Sequence, residues 1–450
     1  MINDHSVYDI TLNANPTGSG EWQSPPRYYT WTIGCQMNKA DTERLESALN
    51  QLGFLPAQGP SDADLIVLNS CVVRQAAEDK VVGALTSFKP LKTRKPDRII
   101  ALMGCMVGAR TEELEKRFPF VDVFMPPQKY EPLLDLIGDR LGLDWEGCVG
   151  SLAPMKPQVT TYVPVIHGCD EMCSFCIIPY RRGREVSRPL DDIVREVDLL
   201  AKRSVREVTL LGQTVDAYGN DLPDKPDLAD LLSAIHDIKD LRRIRFLTSH
   251  PRYMSERIVR SVATLPKVCE HINLPFQAGD DQVLQQMRRT YTRADYIRII
   301  EMIRKIVPGV SLSTDIIVGF PGETSEQFQH TFDLLEELRF DKVHVSAYSP
   351  RPGTIAWRKM PDDVSSEEKQ YRKGLLEDIQ KSIASEINAG YVGTTQEVLV
   401  DGRERGRWKG RTRTDKLVFF DSSNDLLGAF VHAKIEKSSP WALQGSIIEP

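Results

Sequence analysis

His167-Gly168-Cys169-Asp170-Glu171-Met172-Cys173-Ser174-Phe175-Cys176 places three cysteines within eight residues, spaced C-x3-C-x2-C. The preceding stretch, Thr161 to Ile166, is largely β-branched and apolar and reads as a strand. The loop therefore leaves the C-terminal end of a strand, where α/β sheets and barrels place their chemistry. Three thiolates this close suit a soft metal, and an iron–sulfur cluster is the natural candidate. A four-iron cubane held by three cysteines keeps one iron open. The competing reading is a zinc site completed by His167. Zinc sites usually pair C-x2-C with a second such pair, and this sequence has none.

Upstream of the loop, one pattern appears three times. Strand Tyr28 to Ile33 ends at Gly34-Cys35, strand Asp64 to Leu68 at Asn69-Ser70-Cys71, and strand Arg98 to Met103 at Gly104-Cys105. Helical periodicity fills the gaps, over Asp41 to Leu52 and Ala76 to Phe88. Alternating strands and helices predict a parallel sheet with all strand C-termini along one edge. Cys35, Cys71 and Cys105 would meet there as a second three-thiolate site. Cys148 and Cys269 lack such partners and read as buried thiols.

Downstream, strands recur at Glu207 to Leu211, Arg243 to Leu247, His271 to Leu274, Val310 to Val318 and Lys342 to Ala347. With Thr161 to Ile166 they make six β units, a parallel sheet or partial (β/α)6 barrel. Polar and glycine residues gather at the strand ends and can line one cavity facing the Cys169 loop. Thr324 and Gln327 read as a capping box. A long amphipathic helix over Glu367 to Asn388 is expected to pack on the barrel rim. After Ala389-Gly390 the texture becomes short strands with Gly, Asn and Asp turns, a small OB-like β-barrel. Its turn carries Arg403, Arg405, Arg407, Lys409, Arg411 and Arg413, six cations in eleven residues, with Trp408 among them. Such interleaving suits single-stranded RNA, through phosphate pairing and base stacking.

The chain has 450 residues, 41% hydrophobic and 27% charged, with a net charge of -6. That mild charge argues against nucleic acid binding over the whole surface, but not against a local patch. No run approaches the ~18 apolar residues of a membrane helix. Residues 1–25 are polar, lack a signal-peptide core, and are expected to be a disordered leader. A cytoplasmic location follows, where clustered cysteines mean metal more often than disulfides.

The C-x3-C-x2-C loop resembles that of the radical S-adenosylmethionine (SAM) enzymes. Three N-terminal cysteines, such a core and a small β-barrel (TRAM domain), in this order, look like the methylthiotransferases. Gly34-Cys35-Gln36-Met37-Asn38, Asn69-Ser70-Cys71, Gly104-Cys105 and Cys176-Ile177-Ile178-Pro179-Tyr180-Arg181-Arg182-Gly183-Arg184-Glu185 resemble their MiaB type. So do Leu211-Gly212-Gln213, Leu274-Pro275-Phe276-Gln277, Ile317 to Glu323 and Gly410 to Thr414. Thr214 and Asp216 stand where that type usually reads Asn-Val-Asn after Gly-Gln, and Ser70 where Thr is commoner.

The resemblance implies an N-terminal methylthiotransferase domain at 26–144, a linker at 145–157, a radical SAM core at 158–388 and a TRAM domain at 389–450. It implies two [4Fe-4S] clusters, on Cys35, Cys71 and Cys105 and on Cys169, Cys173 and Cys176, with SAM at the second. Phe175, Gly212, Gln213, Ser249, Gln277 and Gly319 are the SAM-contact candidates. The implied reaction adds a methylthio group to C2 of N6-isopentenyladenosine at position 37, in the anticodon stem-loop of tRNA. The first cluster supplies the sulfur and a second SAM the methyl group. The implied partners are that tRNA and an electron donor such as a flavodoxin or ferredoxin, and the chain is expected to be a monomer. The rival readings are a methylthiotransferase acting on threonylcarbamoyl-adenosine in tRNA or on a ribosomal-protein aspartate, and a non-catalytic, zinc-stabilised RNA-binding protein.

Overall fold

The structure, a computed structural model, describes residues 25–448 except 73–74, 109, 143, 151 and 155–156. All but the last residue of the expected leader lies outside the described residues, as does the side chain of Cys148. The first sheet contains β1 (Arg27–Thr32), β2 (Leu55–Pro56), β3 (Leu65–Ser70), β4 (Ile99–Gly104) and β5 (Val123–Met125). All pairs are parallel, in the order β2-β1-β3-β4-β5. β3 and β4 are buried at every position, as expected of strands covered on both faces. Leu65 and Val67 join one core with Leu45 and Leu49 of helix Gln36–Gln51. Ile66 and Leu68 join the opposite core, with Val81 and Leu85 of helix Gln75–Arg94. The connection leaves β1 for β2 and returns past it to β3. That reversal creates a crevice at the C-terminal ends of β1 and β3, where open α/β sheets bind ligands.

The central part has six parallel strands in two sets of three. β6 (Thr160–Pro164) is followed by a short ribbon, β7 (Ile166–His167) with β8 (Val186–Ser187). β9 (Glu207–Leu211) pairs with β6 and with β10 (Arg243–Leu247). β11 (His271–Asn273), β12 (Ser311–Val318) and β13 (Lys342–Ala347) form the other set. The sets join where Cys269 N donates to Ile244 O at 2.9 Å. The result is the partial (β/α)6 barrel, with one apolar core beneath its helices. Cys269 is a buried thiol in that junction, 1% exposed. The Thr324 capping box forms, and helix Ser366–Ala389 packs on β13.

The C-terminal strands are β14 (Thr395–Glu404), β15 (Arg407–Thr412), β16 (Leu417–Phe420), β17 (Phe430–Ser438) and β18 (Leu443–Ile447), in a closed barrel. β15 corrects the sequence reading, which took the basic stretch for a turn. Trp408, Gly410 and Thr412 face inward while Arg407, Lys409 and Arg411 face outward. Three cations hid this alternation, because glycine and threonine are weak apolar markers.

Ion pairs fasten the three parts. Met37 and Ala40 pack on Leu211 at the open side of the barrel. Beside them, Glu196 receives Arg44 at 2.9 Å and also pairs with Arg188. Burial raises the pKa of Glu196, but Arg44 and Arg188 outweigh it and hold the carboxyl below its ordinary value. The expected linker begins with a helical turn, Trp145–Cys148, and is anchored by Ser47 Oγ donating to Ala153 O at 2.9 Å. At the other end of the strands, Arg243 donates to Arg411 O at 2.8 Å and Arg245 to Thr412 O at 2.7 Å and Arg413 O at 2.8 Å. Arg413 Nη2 returns a 2.6 Å ion pair to Glu270. The small barrel thus sits under the N-terminal strand ends.

Two outcomes are expected. Glu196→Gln strands two largely buried guanidinium groups and should destabilise the chain by about 3 kcal/mol, read as a lower thermal midpoint. Because the folded pKa is depressed, this stabilisation is present at neutral pH and lost as pH falls through the folded value, below about 4.3. Arg245→Met should release the C-terminal barrel, making the segment near Gly390 sensitive to limited proteolysis while the central barrel persists.

Candidate functional site

Cys35, Cys71 and Cys105 follow three adjacent strands, β1, β3 and β4. Cys35 caps helix Gln36–Gln51 in an extended conformation. Gly34 and Gly104 have φ of 136° and 95°. A Cβ on Gly34 would lie 3.0 Å from Cys71 Cβ, and one on Gly104 2.3 Å from Asn69 Oδ1. Both turns therefore need glycine to bring the cysteines together. Two buried amides brace this edge. Asn38 Nδ2 donates to Asn69 Oδ1 at 3.1 Å and Ser70 O at 2.8 Å, and Asn69 Nδ2 returns to Asn38 O at 2.7 Å. Ser70 Oγ donates to Met103 O at 2.6 Å and accepts from Met106 N at 3.1 Å. Cys35 is exposed, whereas Cys71 and Cys105 are buried. Burial pushes Cys105 up to about 11, with the Cys35 and Cys71 thiols adding to the rise.

The second set lies on the loop clamped by the β7–β8 ribbon, where Cys169 N donates to Gly183 O at 3.2 Å. Burial pushes Cys169 up to about 11 and Cys176 to about 12, and in each the neighbouring thiols add to the rise. Thr214 Oγ1 lies 3.4 Å from Cys169 Sγ. Arg289 Nη1 donates to Cys173 Sγ at 3.4 Å, while its Nε donates to Tyr291 at 2.9 Å. Burial opposes the charge of Arg289, but Tyr291 and Cys173 keep it protonated. Such donors offset the negative charge of thiolates bound to metal.

Among the described residues, no three His, Cys, Asp or Glu side chains converge on a single metal ion. A cubane asks something different, because each thiolate takes its own iron. Both trios fit that demand: neighbouring thiols, all but Cys35 shielded from water in whole or part, with hydrogen-bond donors alongside. Among the described residues His167 does not converge with the cysteines on a single ion. Burial, then Arg188, Arg44 and Arg182, push its pKa down to about 3.

The SAM candidates fall at the C-terminal ends of successive strands. Ser249 is buried and its Oγ has no partner, an orphaned polar atom that suits a polar cofactor. Gln213 is half-buried beyond β9, and Phe175 is half-buried against the central core. Gln277 holds a φ of 68° and is spliced into β12 through Asp315 O and Ile317 N. Gly212 and Gly319 have packing reasons of their own. A Cβ would come within 2.4 Å of Ile166 Cγ2 at Gly212 and 2.3 Å of Lys369 Cγ at Gly319. Sequence reasoning missed Thr214 as a neighbour of Cys169, and it missed Arg289 altogether. It also missed His250, whose backbone N donates to both oxygens of the buried Asp216 at 2.9 Å. Burial pushes Asp216 well above the carboxylate range. Departure from the family pattern at Thr214 and Asp216 was the available signal; nothing in the sequence marked Arg289.

A cavity of about 430 Å³ lies inside the barrel. Its wall includes Gln36, next to Cys35, and Thr248, next to Ser249, as well as Asn273, Asp315 and, towards the small barrel, Arg411.

The basic stretch divides. Arg403 and Arg405 are exposed on the hairpin, and Arg407 and Lys409 flank them on the outer face. Arg403 lies 3.9 Å from the Trp408 ring centre. Trp408 does not present its ring as a stacking platform. It is 4% exposed in the barrel core, and its Nε1 donates to Asn424 O at 3.1 Å. Arg413 is likewise committed, to Glu270, Pro266 O and Val268 O.

The chain matches the radical SAM superfamily over residues 163–335, the TRAM domain over 390–448 and the uncharacterized protein family UPF0004 over 27–126. The solved radical S-adenosylmethionine methyltransferase TsrM from Kitasatospora setae shares the fold, with a TM-score of 0.54 at 15% identity over 84% of this chain and 82% of that one. The tRNA-2-methylthio-N(6)-dimethylallyladenosine synthase of Herpetosiphon aurantiacus is 48% identical, over 94% of this chain and 97% of that protein. The synthase of the same name from Dehalococcoides mccartyi is 46% identical, over 94% and 99%. Likeness of that degree along nearly the whole chain, through all three parts just described, makes this protein a member of the tRNA-2-methylthio-N(6)-dimethylallyladenosine synthase family of radical SAM proteins.

Proposed function

We propose that this chain converts N6-isopentenyl(dimethylallyl)adenosine at position 37 of tRNA into its 2-methylthio derivative. The observation that carries the reading is the pair of three-thiol sets in one chain, one at the ends of β1, β3 and β4 and one on the Cys169 loop. C2 of adenine carries an unactivated C–H bond, so sulfur can enter only after a hydrogen atom is removed. Cys169, Cys173 and Cys176 would hold the cluster that, with SAM, would supply the radical chemistry for that removal. Cys35, Cys71 and Cys105 would hold a second cluster as the source of sulfur, with the methyl group coming from a second SAM.

The protein's own share is to bind, orient and exclude water. Thr214 and Arg289 hold the Cys169 and Cys173 sulfurs in place. Ser249, Gln213, Gln277 and Phe175 are the groups we assign to SAM, with Gly212 and Gly319 keeping the backbone close beneath it. The polar barrel interior receives the base, which lies in a single-stranded loop and needs no duplex opening. Arg403, Arg405, Arg407 and Lys409 form the outward cationic strip that holds RNA phosphates. The chemistry requires a one-electron donor, which we take to be a flavodoxin or ferredoxin. With both thiol sets in one chain, a monomer suffices. Among the described residues no helix is long and apolar enough to cross a membrane, and the tRNA substrate fits a cytoplasmic protein.

Nucleoside mass spectrometry of tRNA from a deletion strain should show loss of the methylthio group with the isopentenyl group retained; unchanged tRNA would refute the reading. Cys169→Ala with Cys173→Ala and Cys176→Ala should abolish SAM cleavage and leave tRNA affinity within about twofold. Cys71→Ala should leave SAM cleavage and abolish sulfur insertion. Charge reversal of Arg403 and Arg405 should weaken tRNA binding and flatten its salt dependence by about 1.4 units of log K per log[salt], for two lost contacts at about 0.7 each on a single strand.

A further inference from the structure

Arg182 is not one of the sequence candidates, yet it enters the N-terminal thiol site from the other half of the molecule. It ends the short helix Ile178–Arg182 that follows the Cys169 loop. Its side chain is 1% exposed. Nη2 donates to Asp41 Oδ2 at 3.0 Å and to Asn38 Oδ1 at 3.1 Å. Asn38 Oδ1 also accepts from Cys35 Sγ at 3.5 Å. The thiols of Cys105 and Cys35 are the other close electrostatic neighbours of the guanidinium. Its Nε and Nη1 are buried without a well-formed hydrogen bond, and the Cys105 thiol is a loose hydrogen-bond neighbour of the guanidinium.

The guanidinium groups of Arg243 and Arg245, which tie the small barrel in place, each leave only Nε without a well-formed hydrogen bond; that of Arg182 is more open. This one leaves two of its three nitrogens unpaired while buried, which is costly unless an acceptor arrives. After Asp41, the groups that act most strongly on the guanidinium are Cys105 and Cys35, so the acceptor belongs among those thiols. A planar, permanently charged fork suits an anionic sulfur. Asp41, fully buried, neutralises the charge and fixes the fork's direction.

We propose that Arg182 donates its free Nε and Nη1 hydrogens to sulfur held at the Cys35–Cys71–Cys105 site, orienting the anionic sulfur that is to be transferred. The inference rests on the reading that this trio holds a cluster. It makes the sulfur site complete only when the central barrel is docked, since the donor comes from the barrel's own cysteine loop.

The test uses the full chain with Cys169, Cys173 and Cys176 all changed to Ala, so that only the N-terminal cluster can form. After anaerobic reconstitution, this parent should hold about four irons. If it holds none, the two-cluster reading fails before Arg182 is tested. Arg182→Gln in the parent should keep its iron, shift the electron-paramagnetic-resonance-monitored midpoint potential downwards, and weaken the binding of added sodium sulfide. One lost charge-assisted hydrogen bond corresponds to about a tenfold loss of affinity. Arg182→Lys should recover part of the potential but little of the sulfide affinity. Because Arg182→Gln leaves Asp41 buried without its partner, Asp41→Asn with Arg182→Gln supplies a neutral control that should hold iron and show the same two shifts. Unchanged potential and sulfide affinity with iron retained would overturn the proposal. So would loss of iron from both the single and the double variant while the parent keeps it, which would make Arg182 a folding residue.

Discussion

Three thiols set 34 and 36 residues apart can meet only if the strands that carry them are neighbours and run the same way. Every other feature of the N-terminal sheet follows from that constraint. β1, β3 and β4 are adjacent and parallel, and β2 is displaced to the outside edge. Placing β2 there lets helix Gln36–Gln51 start directly at Cys35, on the face that meets the barrel. The buried Asn38–Asn69 exchange then ties the first helical turn to the end of β3. Amides serve here because each supplies both a donor and an acceptor in a place where water is absent.

The two halves of the site are built on opposite principles. At the Cys169 loop the thiols are close in sequence, and a local ribbon holds them. At the N-terminal edge they are distant, and topology holds them. A local loop tolerates movement of its surroundings; a site assembled from three strands needs a rigid sheet, and β3 and β4 are buried along their whole length. The halves then meet through helix Gln36–Gln51, which lays Met37 and Ala40 on the barrel's open side. That contact joins the N-terminal helix to the C-terminal end of β9.

Much of this was legible in the sequence because the signals are short-range or strictly periodic. The C-x3-C-x2-C spacing, the apolar strands ending in Gly-Cys or Ser-Cys and the Thr324 cap all depend on residues within a few positions of one another. What was missed depends on residues far apart. Arg182 lies 141 residues from Asp41, and Arg289 lies 116 residues from Cys173. Neither spacing has a period, and an arginine in a loop looks like any solvated cation. Trp408 was misread for a related reason. Its neighbours drew attention as a charge run, while the alternation that turns it inward passed unnoticed.

The mounting of the C-terminal barrel has a wider consequence. Arg243 and Arg245 grip it through the main-chain oxygens of Glu397, Arg411, Thr412 and Arg413. Every amino acid offers the same carbonyl, so this part of the seat is blind to side-chain identity; Glu397, Arg413, Lys416 and Phe430 add contacts that are not. Outward residues such as Arg403, Arg405 and Arg407 can therefore be exchanged without loosening the mount. The barrel behaves as an interchangeable head on a fixed socket, free to diverge on its outer face while the strands above it stay in register.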